Sequence, residues 1–149
     1  MFNVVLVYPD IPYNTGNIGR ICVGLDAGLH LVKPLGFKID DKYIKRAGLD
    51  YWENVKLTIH NDYNSFEKFS RGSNLFFAST KGEINYYDIN YKEGDYFVFG
   101  SETAGLPEEI IRQNFNKCIT IPMPGNVRSL NLSNSVAVIL YEAYRQIKS

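Results

Sequence analysis

The chain has 149 residues and a mass of 17.0 kDa, enough to bury one core and too little for two large ones, so residues 1–149 are expected to form a single domain. Sixteen basic and sixteen acidic residues leave a formal net charge of zero, which argues against indiscriminate nucleic-acid binding, an affinity built by lysines and arginines displacing counterions. With 45% apolar residues the composition is globular, no apolar run approaches the roughly 20 residues of a membrane span, and the start MFNVVLVYPDIPYN has no signal-peptide pattern, so a cytoplasmic protein is expected.

Short β-branched or aromatic runs alternate with helical segments, the pattern of an α/β domain with a largely parallel sheet flanked by helices. The first strand is predicted over residues 2–8, ending at Pro9 and Pro12, which cannot continue a ladder. A helix follows from Asn14 or Thr15, where a polar side chain can cap free N–H groups, and stops near Gly28. Residues 29–33 read as a second strand, Asp40 as the cap of a short charged helix through Arg46, and residues 56–60 as another strand. Residues 62–70 are predicted helical. Residues 74–79 and 95–99 are predicted as buried strands, because FFA and YFVF are continuous apolar runs between turn residues. The polar stretch between them, residues 82–94, yields no element. Pro107 suits the first turn of a helix, with Glu108 and Glu109 at its positive end, and residues 117–121 would be the last strand. The final helix, from about Asn131 to Ile147, carries Val136, Ile139, Leu140, Ala143 and Tyr144 on one face, widened by Ala137, Val138 and Tyr141. So broad an apolar surface implies either a deep position or a subunit contact. Cys22 and Cys118 are expected to pack as small buried residues, not as a disulfide.

Three loops could carry chemistry. Asn14-Thr15-Gly16-Asn17-Ile18-Gly19-Arg20 opens a helix after a strand, where free N–H groups favour anions, yet it is neither a dinucleotide fingerprint nor a P-loop. Gly100-Ser101-Glu102-Thr103-Ala104-Gly105-Leu106-Pro107 follows a buried strand, where open α/β sheets place ligands; its glycines allow close backbone approach, and the Glu102 carboxylate can accept from a ligand or from other backbone. The third runs from Ile121-Pro122-Met123 to Arg128-Ser129-Leu130-Asn131-Leu132-Ser133-Asn134-Ser135 and holds more polar groups than helix capping needs, which leaves open a tightly bonded turn or a ligand loop. His30 and His60 are far apart in the chain and have no metal-site spacing, so they read as strand-end histidines and no metal is expected. Tyr51 and Trp52 could stack on a base or belong to the core.

Together the three loops resemble the three motifs of the SPOUT class of RNA methyltransferases, in its 2′-O-ribose branch, and the resemblance spans nearly the whole chain. Motif one is carried by Asn14, Gly16, Asn17 and Arg20, motif two by Gly100, Glu102, Gly105 and Leu106, and motif three by Ile121, Pro122, Met123, Ser129, Leu130, Asn131 and Ser133. Residues 124–127 match least and are assigned no role. The short chain, with Arg46 to Trp52 and the ending Tyr141-Glu142-Ala143, resembles the minimal subgroup that methylates the wobble nucleotide 34 in the anticodon stem-loop of certain tRNAs.

The resemblance implies a C-terminal deep trefoil knot, S-adenosylmethionine bound bent in that knot, and a homodimer that completes the RNA site. By position, the cofactor pocket would use Ala78, Thr80, Gly100, Glu102, Ile121, Met123, Ser129 and Leu130. Arg20 would sit beside the ribose 2′-OH. A guanidinium stays protonated, so its expected task is to anchor phosphate or stabilise the developing oxyanion, with any base role dependent on a neighbouring phosphate. Tyr141 is expected to orient as a hydroxyl, and Asn14, Asn131 and Ser133 to brace the site or bond RNA. Lys33, Lys38, Lys42, Lys45 and Arg46 outnumber Asp40 and Asp41 in one stretch and form the candidate basic patch, so RNA binding should be salt-sensitive. Two alternatives stay open: the same chemistry on ribosomal RNA, and a non-catalytic nucleotide- or RNA-binding module that would not need Arg20.

Overall fold

The computed structural model describes residues 1–40 and 42–148, with the side chains of residues 45 and 47–50 outside the description. Asp41 therefore lies outside the described residues, and so does the side chain of Lys45. Among the described residues seven strands form one parallel sheet in the order β3-β2-β1-β6-β4-β7-β5. They are β1 (Asn3–Val7), β2 (Gly28–Val32), β3 (Lys56–His60), β4 (Leu75–Ala78), β5 (Ile84–Asn85), β6 (Tyr96–Phe99) and β7 (Cys118–Thr120). The helices are α1 (Pro12–Gly24), α2 (Lys42–Gly48), α3 (Tyr63–Phe69), α4 (Glu108–Gln113) and α5 (Leu132–Lys148).

Alternation along each strand divides the core in two, because successive side chains point to opposite faces. Val4, Leu6, Leu29, Leu31, Phe97 and Phe99 meet Ile18 and Cys22 of α1 and Val136, Ile139, Leu140 and Ala143 of α5. On the other face Val5, Val7, Val32, Phe77 and Val98 meet Phe66 of α3 and Ile110 and Ile111 of α4. Central strands covered on both sides need apolar residues at every position, which is why β1 and β6 read as unbroken runs. Both cysteines are buried and free, and burial pushes the Cys22 thiol up to about 12, far from thiolate reactivity.

Most predicted elements lie within a residue or two of the observed ones, and two differences are informative, in α1 and within residues 82–94. Helix α1 begins at Pro12, with no side-chain cap of its own, and ends at Gly24. Helix α3 begins where expected, because Asp62 accepts from the Ser65 N–H at 2.7 Å. Within residues 82–94 the chain makes the short edge strand β5, a 3-10 turn at Tyr86–Asp88, and a buried Tyr91 that anchors under α5. Two residues are too few to show strand periodicity.

His30 is a correction, whereas His60 ends β3 as expected. His30 lies in the middle of β2, and its ring reaches His60 across the sheet, Nδ1 to Nε2 at 3.0 Å, stacked at 5.3 Å between centroids. Asn3 donates its amide to the Gly94 carbonyl, so its Oδ1 faces His30 at 3.2 Å and requires a proton on His30 Nε2. His30 Nδ1 is then the acceptor and His60 Nε2 the donor. Burial among Phe66, Phe69 and Tyr96, with His60 alongside, pushes His30 down to about 4, and burial also lowers His60. Below the ordinary histidine range of about 6.5 the unfolded chain takes up a proton that the folded one refuses. Stability is therefore expected to be full above that range and to fall by about 3 kcal/mol for His30 as pH drops toward 4. Urea midpoints at pH 7.5 and 4.5 test this; equal midpoints would contradict it.

Among the described residues no group of three or more His, Cys, Asp or Glu side chains could hold a metal ion, and no helix is long and apolar enough to cross a membrane.

Candidate active site

In an all-parallel sheet every strand delivers its following loop to the same edge. The loops after β1, β4, β6 and β7 thus converge, and the last three enclose a cavity of about 600 Å³, within the usual range for small-molecule sites. Ala78, Thr80, Gly100, Glu102, Ile121, Met123, Ser129 and Leu130 all line it. Ser79, Lys81, Leu106, Arg128 and Ser135 also line it, without having been assigned to it from sequence. Ser79, Lys81 and Arg128 flank assigned positions, so adjacency in the chain was the available signal for them, while Leu106 and Ser135 reach the wall through the fold.

The loop after β6 is drawn very tight. Ser101 and Gly105 bridge each other through paired backbone hydrogen bonds of 3.3 and 3.0 Å, which folds the loop back over Gly100. A Cβ at Gly100 would lie 2.0 Å from the Gly105 carbonyl carbon and the Leu106 nitrogen, so only glycine fits. Gly105 takes φ +69°, and a Cβ there would meet nothing within 4 Å, which leaves its backbone bare to a ligand. A nucleoside-sized group fits this chemistry. Leu106, Ile111, Ile121, Leu130 and Ile139 supply apolar wall, the loop backbones supply donors and acceptors, and Lys81 and Arg128 supply positive charge.

Glu102 serves backbone. Its carboxylate accepts from the N–H groups of Asp10 at 2.9 Å and Ile11 at 2.8 Å, and from the Asn14 amide at 3.3 Å. It thereby caps α1 from a distant loop, which is why the helix can begin at Pro12 with no cap of its own. The turn that presents these N–H groups starts at Tyr8, held at φ 57°, a left-handed conformation rare for a bulky residue. Thr103 adds a hydrogen bond of 2.9 Å to the Asp10 carboxylate. From the other side, the Asn131 amide donates to Asn14 Oδ1 at 3.3 Å, and Asn131 Oδ1 caps α5 by accepting from Ser133 N–H at 2.9 Å and Ser133 hydroxyl at 2.7 Å. One polar chain, Ser133 to Asn131 to Asn14 to Glu102, ties all three loops together. Of the two options for the third loop, its polar groups serve both: Asn131 and Ser133 brace, while Ser129 and Ser135 line the cavity. Sequence reasoning missed Tyr8, Asp10 and Thr103, since nothing local marks them.

Arg20 and Tyr141 are not brought to the cavity of this chain. Arg20 is exposed on α1 with its guanidinium over the Tyr51 ring. Trp52 packs on α1 at Gly19 and against the main core, so the second of the two readings for that residue holds. Tyr141 is 52% exposed on the outer side of α5, in a shallow groove with Tyr144, Arg145 and Lys148. Lys33, Lys38, Lys42 and Arg46 are exposed, and α2 packs on α1, which places Arg46 on the helix neighbouring that of Arg20.

A family model described as the SpoU rRNA Methylase family matches residues 1–141. The tRNA (cytidine(34)-2'-O)-methyltransferase of Methylovorus glucosotrophus is 51% identical over 148 residues, spanning 98% of this chain and 96% of that relative. The protein of the same name from Saccharophagus degradans is 48% identical, over 99% and 96%. A solved structure described as giving insight into the 2-OH methylation of C/U34 on tRNA matches with a TM-score of 0.96 at 46% identity, covering 99% of this chain and 97% of that one. An AdoMet-bound rRNA methyltransferase from Sinorhizobium meliloti matches with a TM-score of 0.90 at 26% identity, covering 99% of this chain and 57% of that one.

Proposed function

Because the chain belongs to the SpoU rRNA Methylase family, we propose that it transfers a methyl group from S-adenosylmethionine to the ribose 2′-hydroxyl of nucleotide 34, a cytidine or uridine derivative, in certain tRNAs. The observation that carries this reading is that eight residues taken from three distant loops line one cavity, held in register by the Ser133–Asn131–Asn14–Glu102 chain. The relatives at about half identity support the tRNA nucleotide over a ribosomal one.

When bound, the cofactor would supply an electrophilic methyl carbon on a sulfonium whose sulfur keeps the electron pair of the broken carbon–sulfur bond, while the proton of the 2′-hydroxyl would pass to water or to a phosphate beside Arg20. The bare backbone at Gly100 and Gly105 and the apolar wall of Ile121, Met123 and Leu130 would hold the donor. Arg20 contributes a fixed positive fork toward the oxygen that gains charge, or toward the adjoining phosphate, and Tyr141 orients the substrate. Alignment of acceptor, carbon and sulfur is the main service of such a site.

The reading includes a deep trefoil knot in a single domain of residues 1–149. It is supported by the position of β7 between β4 and β5, which residues 79–83 join directly, so the chain entering and leaving β7 must pass that short connection. It also includes a homodimer. Arg20 and Tyr141 line no part of their own chain's cavity, and Tyr141, Tyr144 and Ile147 leave the outer side of α5 apolar and uncovered among the described residues. A two-fold pair would bring a second chain's groups to the cavity and place two Arg46-bearing patches around one anticodon stem-loop.

Incubation with methyl-labelled cofactor and separate pools of total tRNA and ribosomal RNA, followed by nucleotide mapping, tests the function. Label is expected in tRNA, on the ribose of nucleotide 34. Label confined to ribosomal RNA, or none in either pool, would reject the proposal.

A further inference from the structure

Arg20 is exposed on α1, so the cavity wall does not hold its guanidinium in the orientation a reacting oxygen would need. A long side chain free in water samples many rotamers, and each wrong one removes a molecule from the reactive population. The described residues give it no carboxylate: the ion pairs join the Met1 amino group to Glu93, Lys56 to Asp26 and Arg145 to Glu142. They give it a ring. The guanidinium carbon lies 4.8 Å from the Tyr51 centroid, inside the distance at which a cation is attracted to an aromatic face.

Tyr51 is itself well placed to serve as a support. It sits in the 3-10 turn Leu49–Asn54, beside Trp52, and the Val55 N–H closes that turn on the Trp52 carbonyl at 3.1 Å. The Trp52 ring rests on α1 at Gly19, so closely that a Cβ there would come within 2.9 Å of its Cζ3. Gly19 directly precedes Arg20. The helix thus carries a notch one residue before its cation, the indole fills the notch, and the neighbouring phenol ring is set beneath the guanidinium.

We propose that Tyr51 is a positioning residue for the methyl transfer: its ring face fixes the Arg20 guanidinium, and Trp52 seated on Gly19 pins the turn that carries it. The inference rests on the proposed role of Arg20. It assigns Tyr51, which is 40% exposed, to Arg20 and not to a base of the RNA.

The test compares the wild type with Arg20→Ala, Tyr51→Leu and Tyr51→Phe in steady-state methyl transfer to tRNA, with cofactor affinity by calorimetry as the check on folding. Tyr51→Leu is expected to lower kcat about tenfold while KM for tRNA stays within about twofold, because orientation is lost and binding is kept. Tyr51→Phe keeps the ring face and is expected to recover kcat to within about twofold of wild type. A raised KM with unchanged kcat in Tyr51→Leu would mean that the ring contacts RNA, and would overturn the inference. So would a Tyr51→Phe variant as slow as Tyr51→Leu. If Arg20→Ala loses turnover while Tyr51→Leu keeps it, the positioning role falls and the reading of Arg20 stands. If Arg20→Ala retains wild-type turnover, both fall.

Discussion

Arg20→Lys is expected to slow single-turnover methyl transfer by about a hundredfold while leaving cofactor affinity unchanged. Lysine preserves the charge, so a role limited to attracting RNA would survive the change. What it removes is the planar fork, which can hold two oxygens at once and lies flat on an aromatic face. Arg20 touches neither the cavity wall nor any carboxylate among the described residues, so the substitution should not disturb donor binding or the fold. Rapid-quench measurement with labelled cofactor and saturating tRNA isolates the chemical step from product release. A rate near that of wild type would show that the guanidinium geometry contributes nothing to transfer.

Gly100→Ala should abolish measurable cofactor binding, weakening it by at least about a hundredfold, and should lower stability by about 1–3 kcal/mol. The reason is steric and local. The added methyl would overlap backbone atoms of Gly105 and Leu106 at 2.0 Å, and backbone cannot swing aside as a side-chain tip can. Opening the Ser101–Gly105 bridge is the available relief, and it displaces Gly105 and Leu106, both in the cavity wall, together with Glu102, which lies between the two bridged residues. Displacing Glu102 would also release the N–H groups of Asp10 and Ile11. Gly24→Ala is the natural control. Gly24 is exposed at the end of α1, a Cβ there meets nothing within 4 Å, and the alanine should leave binding intact and raise stability slightly. Calorimetric titration with the cofactor and urea unfolding of both variants check these outcomes; full affinity in Gly100→Ala would mean that the loop does not form the donor site.

Which parts were readable in advance follows from the range of the forces involved. The apolar runs of β1 and β6, the Asp62 cap and the amphipathic stripe of α5 depend on residues a few positions apart, so they stand in the sequence as pattern. The three glycine-bearing or polar loops were legible for the same reason, and their resemblance to known motifs pointed to the cavity residues that the fold then gathers. The start of α1 was not. Its cap is a carboxylate 92 residues away from Asp10, and no local rule connects them. The same holds for His30 and His60, 30 residues apart, which become a buried neutral pair because two parallel strands set them diagonally on one face. Edge strand β5 exists because β7 offers it a partner, not because two residues prefer to be extended.

The amino-acid order, then, specifies an α/β chain with a parallel sheet, its inward faces, and the loops rich enough in glycine and hydrogen-bonding groups to hold a ligand. Packing specifies the rest: Glu102 as the clamp on α1, Tyr51 beneath Arg20, and Arg20 and Tyr141 outside their own chain's cavity. Periodicity is a property of neighbours along the backbone, whereas a polar partner is chosen by whichever surfaces the closed sheet brings within about 3 Å of each other.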